Sequence, residues 1–553
     1  MKNAFKIFKI FNISSWHVSY SHFVCLVSMY IVIVFNGLFL YNTFIAATQP
    51  GHINWLFITS IPLLLFSLTI LVLSWLSLVT FVKPVLLFSV LLCSLLFYST
   101  LNYGVIFDKS MLQNIVETNS GEAFSYLNFQ LVIFVVLLGI VPTYLFSKFI
   151  IIGSFRVRLK SFVKLNLFAL LCCALIAATF YKEYASVGRN NRQLTSYITP
   201  FAFYTAGYKY LRDNYFYPPL PFKVLDNLPA LENKTTTSLT VMVVGETARA
   251  ANFSLQGYSR ATNAYTSKLG VKYFSDVSSC GTATAISVPC MFSRLNRKEY
   301  DSRLANSQEN VLDIIQRSGV EVTWIDNNSS CKGVCARVKS ENIEPNKKHS
   351  LCDGDYCFDE ILVSKFKDRI AKSNVKHKLI ILHMIGSHGP TYYRRYPEHA
   401  SLFKPDCDRS DIQNCTTTEL TNTYDNTIAY TDRVLSELIK VLQESNETEK
   451  SLLYVSDHGE SLGEKGLYLH GFPYALAPTE QTHIPMIFWS NKLTDSEFNR
   501  CVELQHSKTF SHDNIFDTLL GLTHVNSNQY QPIYDIFNAC KAEAYNEGIP
   551  NAV

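Results

Sequence analysis

The feature that most restricts the fold is a series of long, nearly uncharged apolar runs confined to the first third of the chain. Five of them, approximately Phe23–Phe44, Leu56–Val79, Pro84–Phe107, Phe129–Ser147 and Leu165–Tyr181, are long enough to cross a hydrocarbon core of about 30 Å, which takes roughly 17–25 helical residues. Inside hydrocarbon a helix satisfies every backbone N–H and C=O within one segment, so five transmembrane helices are expected. A cleaved signal peptide is a poor account of the first run, because four more follow without a small-residue cleavage pattern. Beyond about residue 181 the chain is ordinary polar protein, and 553 residues exceed what one core usually organises.

Loop charges orient the spans, since Lys and Arg concentrate on the cytoplasmic side. Lys2, Lys6 and Lys9 precede the first span, and Lys148, Arg156, Arg158, Lys160 and Lys164 fill the fourth connection. The first loop, Ala46–Asn54, carries no charge, and the third sets Asp108, Glu117 and Glu122 against Lys109 alone. An inward N-terminus and an odd number of spans place the C-terminal part outside, in a bacterium the periplasm. Cysteine usage agrees. Cys25, Cys93, Cys172 and Cys173 lie in apolar runs and read as small buried hydrophobes. The other ten fall in the polar part: Cys280 and Cys290, Cys331 and Cys335, Cys352 and Cys357, Cys407 and Cys415 stand close together, with Cys501 and Cys540 left over. Such close spacing reads as disulfides in an oxidising compartment, and the absence of any CxxC pair argues against a zinc ribbon. A net charge of +4 with no dense basic stripe excludes nucleic acid as the natural partner.

Three regions follow: a transmembrane domain over 1–182, a bridge over 183–238, and an α/β domain over 239–553. In the bridge, the aromatic-rich Tyr204–Tyr217 suits a helix lying along the interface, and Pro218, Pro219 and Pro221 mark a linker. From Leu239, short apolar runs (Leu239–Val244, Val320–Ile325, Leu379–Met384, Leu452–Val455, Ile484–Trp489) alternate with helical stretches. This alternation predicts a mainly parallel sheet covered by helices.

Polar residues gather directly after the strand-like runs: Gly245-Glu246-Thr247, Asp326-Asn327-Asn328, His388-Gly-Pro390 and Ser456-Asp457-His458-Gly459. Open α/β sheets bind ligands beyond the carboxyl ends of their strands. Glu246, Asp457 and His458 offer two carboxylates and one imidazole, a donor set suited to a catalytic zinc with one open position, with Mn²⁺ an alternative and Mg²⁺ less suited because it prefers oxygen ligands and keeps its waters. The nucleophile is expected in the hydroxyl-rich loop between Cys280 and Cys290, where spacing does not choose among Thr282, Thr284 and Ser287. In the third loop, Asn114, Thr118 and Glu122 recur every four residues and would share one helical face. Such a face fits a solvated interfacial helix as well as a headgroup site.

Gly245-Glu-Thr-Ala-Arg249, Cys280-Gly-Thr-Ala-Thr-Ala-Ile-Ser-Val-Pro-Cys-Met-Phe-Ser293, Asp326-Asn-Asn-Ser329, Ser387-His-Gly-Pro390, Ser456-Asp-His-Gly-Glu-Ser-Leu-Gly463 and Leu469-His-Gly471 together resemble the lipid A phosphoethanolamine transferases. That family includes the mobile colistin-resistance enzymes, and its catalytic domain has the alkaline-phosphatase-like fold. The resemblance implies Thr284 as nucleophile and zinc held by Glu246, Thr284, Asp457 and His458, with room for a second ion. It places Lys332, His388 and His470 where the family binds the transferred phosphate or a further zinc, Asn328 among the substrate-binding residues, and Asn114, Thr118 and Glu122 on the ethanolamine headgroup. The close cysteine pairs look like the family's disulfides, Cys331–Cys335 being found in only some members. His383, at the end of the strand before Ser-His-Gly-Pro, reads as a core histidine. The implied partners are phosphatidylethanolamine as donor and lipid A as acceptor, served by a monomer, with polymyxin resistance as the outcome.

Neighbouring functions remain in view. A transferase of the same fold could serve Kdo or a core heptose, or move phosphoglycerol. A sulfatase needs Cys/Ser-x-Pro-x-Arg, and Ser287-Val-Pro-Cys-Met291 has Met where Arg is required. A sensor or scaffold that had lost catalysis would lack metal ligands, and none is missing here.

Overall fold

The computed structural model describes residues 15–48, 54–118, 120–232 and 235–541. Lys2, Lys6 and Lys9, three of the eight basic residues behind the charge asymmetry, lie outside the described residues. The chain forms two compact units, one built from residues 15–108 and 128–208, the other from 109–127 and 209 onward.

The first unit is helical: α1 (Tyr20–Phe35), α2 (Gly37–Thr48), α3 (Trp55–Ser77), α4 (Val82–Tyr103), α5 (Phe129–Ser147) and α6 (Phe155–Asn190). Four of these are long and apolar enough to cross a membrane, and the bent pair α1–α2 makes five if it counts as one span. The single span expected over Phe23–Phe44 is thus broken, with a 66° bend at Asn36. The cause is local. The buried Asn36 amide donates to the carbonyls of Ile31 (3.1 Å) and Thr199 (2.9 Å) and accepts from the Thr199 N–H (3.0 Å), so its polar groups are all satisfied without water. Small polar bonds join other helices: Ser74 to Asn166 at 3.0 Å and Ser89 to Tyr204 at 2.9 Å. Helix α6 starts ten residues before the expected span, so Arg156, Arg158, Lys160 and Lys164 stand on its first turns rather than in a loop.

The second unit is built on a seven-stranded sheet: β1 (Ser238–Gly245), β2 (Lys272–Phe274), β3 (Glu321–Asp326), β4 (Lys339–Asn342), β5 (His377–His383), β6 (Glu449–Ser456) and β7 (Met486–Ser490), in spatial order β2-β7-β6-β1-β5-β3-β4. Pairings from β6 through β4 are parallel, whereas β7 and β2 add antiparallel edges, so the sheet is mixed. The central strands β1 and β5 are buried along their whole length, which explains their continuous apolar runs. Among the packing helices, α7 (Thr284–Phe292) and α8 (Thr417–Glu444) bear on the site. Helix α8 opens with a Thr416/Glu419 capping box. All ten cysteines beyond residue 181 are paired, Cys280–Cys290, Cys331–Cys335, Cys352–Cys357, Cys407–Cys415 and Cys501–Cys540.

Candidate active site

Strands β1 and β6 pair in parallel with Gly245 opposite Ser456, so the residues that follow, Glu246 and Asp457, leave the sheet side by side. Gly245 is required there: a Cβ would lie 2.6 Å from the Tyr454 ring. One donor atom from each of Glu246, Asp457 and His458 lies within 4.8 Å of the others, and all three residues are buried. Thr284, the first residue of α7, places its Oγ1 3.2 Å from both Glu246 carboxylate oxygens and 3.4 Å from His458 Nε2.

Hydrogen bonding prepares these groups to bind a cation. His458 Nδ1 stands 2.9 Å from the Gly459 carbonyl, which only accepts, so Nδ1 carries a proton and Nε2 is the nitrogen turned to the cluster. Asp457 Oδ1 accepts from the Thr247 and His458 N–H groups at 3.1 and 2.7 Å. Its Oδ2 is buried with no hydrogen-bond partner, 3.3 Å from His458 Nε2. A buried acceptor left without a hydrogen bond costs about 1–3 kcal/mol. A cation shared by Asp457, Glu246, His458 and Thr284 removes that cost, so the residues fit a divalent metal with N/O ligation.

The electrostatics follow from burial and crowding. Burial, then the neighbouring Glu246 charge, push the Asp457 carboxyl up to about 6. Burial also opposes the charge on Glu246, but the His458 and His388 imidazoles and the Thr247 hydroxyl outweigh it and hold this carboxyl below its ordinary range. His470 is held well below the usual imidazole range by burial and then by His458 and His388, whose rings lie 4.4 and 5.5 Å from its own.

The structure separates the three candidate hydroxyls. Thr282 Oγ1 donates to the Phe472 carbonyl at 2.5 Å, and Ser287 Oγ donates to the Asp457 carbonyl at 2.5 Å while accepting from the Gly281 N–H. Only the Thr284 hydroxyl faces the carboxylate–imidazole cluster. Asn328 reaches the same cluster, its Nδ2 standing 2.7 Å from Glu246 Oε2. The largely buried Lys332 ammonium lies 2.9 Å from Ser329 Oγ and 3.8 Å from Glu117. In the third loop the expected continuous face is interrupted. A helix over Lys109–Glu117 ends before Thr118, whose hydroxyl turns back to the Asn114 carbonyl at 2.7 Å, and a second helix runs Ser120–Ser125. The first of these packs against α7, and Met111 lies beside Gly471. The side chain of Glu122 lies outside the described residues.

A further buried acid, Glu460, stands two residues after His458 and is not among the expected site residues. Both its carboxylate oxygens are buried without a hydrogen bond, His470 Nδ1 is 3.4 Å away, and burial raises its pKa well above the usual range. The signal was its place inside Asp457-His-Gly-Glu460.

A family model described as phosphoethanolamine transferase EptA/EptB matches residues 65–215, and a sulfatase model matches 238–525. Phosphoethanolamine transferase EptA of Escherichia coli K12 is 39% identical over 529 residues, covering 93% of this chain and 96% of that protein. The chain belongs to the phosphoethanolamine transferases. Phosphatidylethanolamine transferase Mcr-1 of Escherichia coli is 36% identical, covering 92% of this chain and 96% of its own. Among solved structures, the integral membrane lipooligosaccharide phosphoethanolamine transferase A of Neisseria meningitidis superposes with a TM-score of 0.89 at 36% identity, over 95% of this chain and 99% of that one. The periplasmic domain of EptC from Campylobacter jejuni is 47% identical, with a TM-score of 0.52 over 57% of this chain and 97% of that one. This phosphoethanolamine transferase is therefore a multi-pass membrane protein whose C-terminal unit corresponds to the relatives' periplasmic catalytic domain.

Proposed function

We propose that the protein transfers phosphoethanolamine from phosphatidylethanolamine to a phosphate of lipid A through a covalent intermediate on Thr284, with zinc held by Glu246, Thr284, Asp457 and His458. The observation that carries this reading is the Thr284 hydroxyl, set between the Glu246 carboxylate and His458 Nε2 at 3.2–3.4 Å. When bound, zinc supplies a Lewis acid that lowers the pKa of that hydroxyl and offsets charge gathering on the phosphoryl oxygens.

In the first step Thr284 Oγ bonds to the donor's phosphorus as the phosphorus–oxygen bond to diacylglycerol breaks, and the threonine proton ends on the leaving glycerol oxygen. In the second, an oxygen of a lipid A phosphate monoanion attacks the same phosphorus, and its proton returns to Thr284. The Cys280–Cys290 bridge and the Thr282 and Ser287 hydrogen bonds fix the loop, so the nucleophile is held in place before the donor arrives. The N-terminus of α7, which begins at Thr284, directs its positive dipole end at the phosphoryl group. Lys332, His388 and His470 surround the phosphate, and His470 with the neighbouring Glu460 offers donors for a second ion. Asn114, Thr118 and Glu122 hold the ammonium. The added cation lowers the negative surface charge that draws cationic peptides, so resistance to polymyxins follows.

Mass spectrometry of lipid A from cells with and without the protein tests the acceptor. Phosphoethanolamine on a lipid A phosphate is expected. Unmodified lipid A beside newly modified Kdo or core heptose would replace this acceptor with one of those sugars.

A further inference from the structure

His383 is completely buried at the end of β5, where the register sets it opposite Asp326 of β3 on one side and Val244 of β1 on the other. It is not there as packing. Its Nδ1 lies 3.1 Å from Asp326 Oδ2, its Nε2 lies 3.3 Å from Asn328 Nδ2, and the Trp324 ring meets it edge-on at 5.5 Å. Asp326 is surrounded by donors. Trp324 Nε1 donates to Oδ2 and the Asn328 N–H to Oδ1, each at 2.8 Å. A carboxylate so placed accepts from His383 as well, which puts a proton on Nδ1, and the Asn328 Nδ2 donor that faces Nε2 makes that nitrogen the acceptor.

Asn328 then has one allowed orientation. Its Oδ1 accepts the Ser329 N–H at 2.7 Å. Its Nδ2 faces three acceptors, Glu246 Oε2 at 2.7 Å, the Met384 carbonyl at 3.0 Å and His383 Nε2 at 3.3 Å. Flipping the amide would set an oxygen against all three. The other Glu246 oxygen accepts from the Thr247 hydroxyl at 2.5 Å, so the carboxylate is clamped from both sides.

We infer that His383 is a positioning residue for the metal centre: fixed as the Nδ1–H tautomer by Asp326, it orients the Asn328 amide, which locks the Glu246 carboxylate in its ligating rotamer. The inference rests on the proposed role of Glu246 as a ligand. Groups that orient a ligand in this way are worth about 10–100-fold in metal affinity.

The test is zinc affinity, measured without substrate on the full chain in detergent, by competition with a chromophoric zinc chelator. Glu246→Gln is the reference and should lose most of the affinity. His383→Asn keeps an amide near the Nδ1 position for Asp326 but removes the Nε2 acceptor. It should weaken zinc binding about 10–100-fold while the metal-free protein melts near the wild-type temperature. His383→Gln, whose longer side chain reaches toward Asn328, should recover part of the loss. Asn328→Ala should weaken zinc to a similar extent, and combining it with either His383 variant should add nothing, because the two residues act in series. Should His383→Asn not accumulate, Asn328→Ala with and without His383→Gln makes the same comparison. Wild-type affinity in His383→Asn, or losses that multiply in the double variant, would overturn the inference. Undiminished zinc binding in Glu246→Gln would instead overturn the ligand assignment beneath it.

Discussion

Thr282 and Thr284 stand two residues apart in one loop and have opposite surroundings: the first hydroxyl is spent on the Phe472 carbonyl, the second faces Glu246 and His458. Thr284→Ala is therefore expected to abolish turnover while leaving the fold intact, and Thr284→Ser to keep part of it, because a primary hydroxyl can still attack. Thr282→Ala should retain measurable transfer of phosphoethanolamine in a donor–acceptor assay. Asp457 gives a pH-dependent prediction. In the metal-free protein its pKa is raised from 3.8 to about 6, so ionising it costs stability as pH rises through that window, and the cost is complete above it. A bound cation cancels the repulsion. The rise in melting temperature on adding zinc is thus predicted to grow from about pH 5 to about pH 7, and a constant or shrinking rise would contradict it. The Glu246, Asp457 and His458 cluster was legible because these residues follow directly on strand ends in recognisable motifs. The choice among three hydroxyls was not, since it depends on partners about 170–190 residues away, such as Asp457 and Phe472. His383 read as core because its two partners, Asp326 and Asn328, lie on a different strand and the turn after it.

Alternation of apolar runs with polar ends revealed the sheet and the edge on which the site lies, because a parallel strand buried on both faces has no other pattern available. The direction of β7 was not legible: Met486–Ser490 is as apolar as its neighbours yet runs antiparallel. Nor was the bend between α1 and α2, which depends on Thr199, far along the chain. The turn after β6 yields a sharp prediction. A Cβ at Gly459 would come 2.0 Å from the Glu480 carbonyl. Gly459→Ala must move one backbone or the other and should weaken zinc binding along with stability, read by competition titration and thermal melting. The Cys280–Cys290 bridge closes a loop of ten residues. Replacing both cysteines by serine should cost about 3 kcal/mol of stability, measured by denaturant unfolding, and should lower turnover more than it lowers zinc affinity, because the bridge holds the proposed nucleophile rather than the other proposed ligands.

Over the whole molecule, hydropathy and cysteine usage divide the chain in two, and the structure divides it likewise, with one difference in bookkeeping. Residues 109–127, which lie between two apolar spans in sequence, belong to the unit that carries the active site. Their helix packs on α7, so a segment that sequence order places within the membrane half contributes to the catalytic half. Both proposed substrates are membrane lipids, which gives an anchored catalytic domain its purpose. A C-terminal alkaline phosphatase fusion is expected to be active and a cytoplasm-restricted fluorescent fusion dark; the reverse would contradict the orientation. The most direct test of the account is the covalent step. Zinc-loaded wild-type protein given phosphatidylethanolamine without acceptor should release one diacylglycerol per chain and carry a phosphoethanolamine mass on the peptide containing Thr284. Addition of lipid A should discharge it. Steady release of diacylglycerol by Thr284→Ala, or transfer to lipid A with no mass ever found on that peptide, would contradict it.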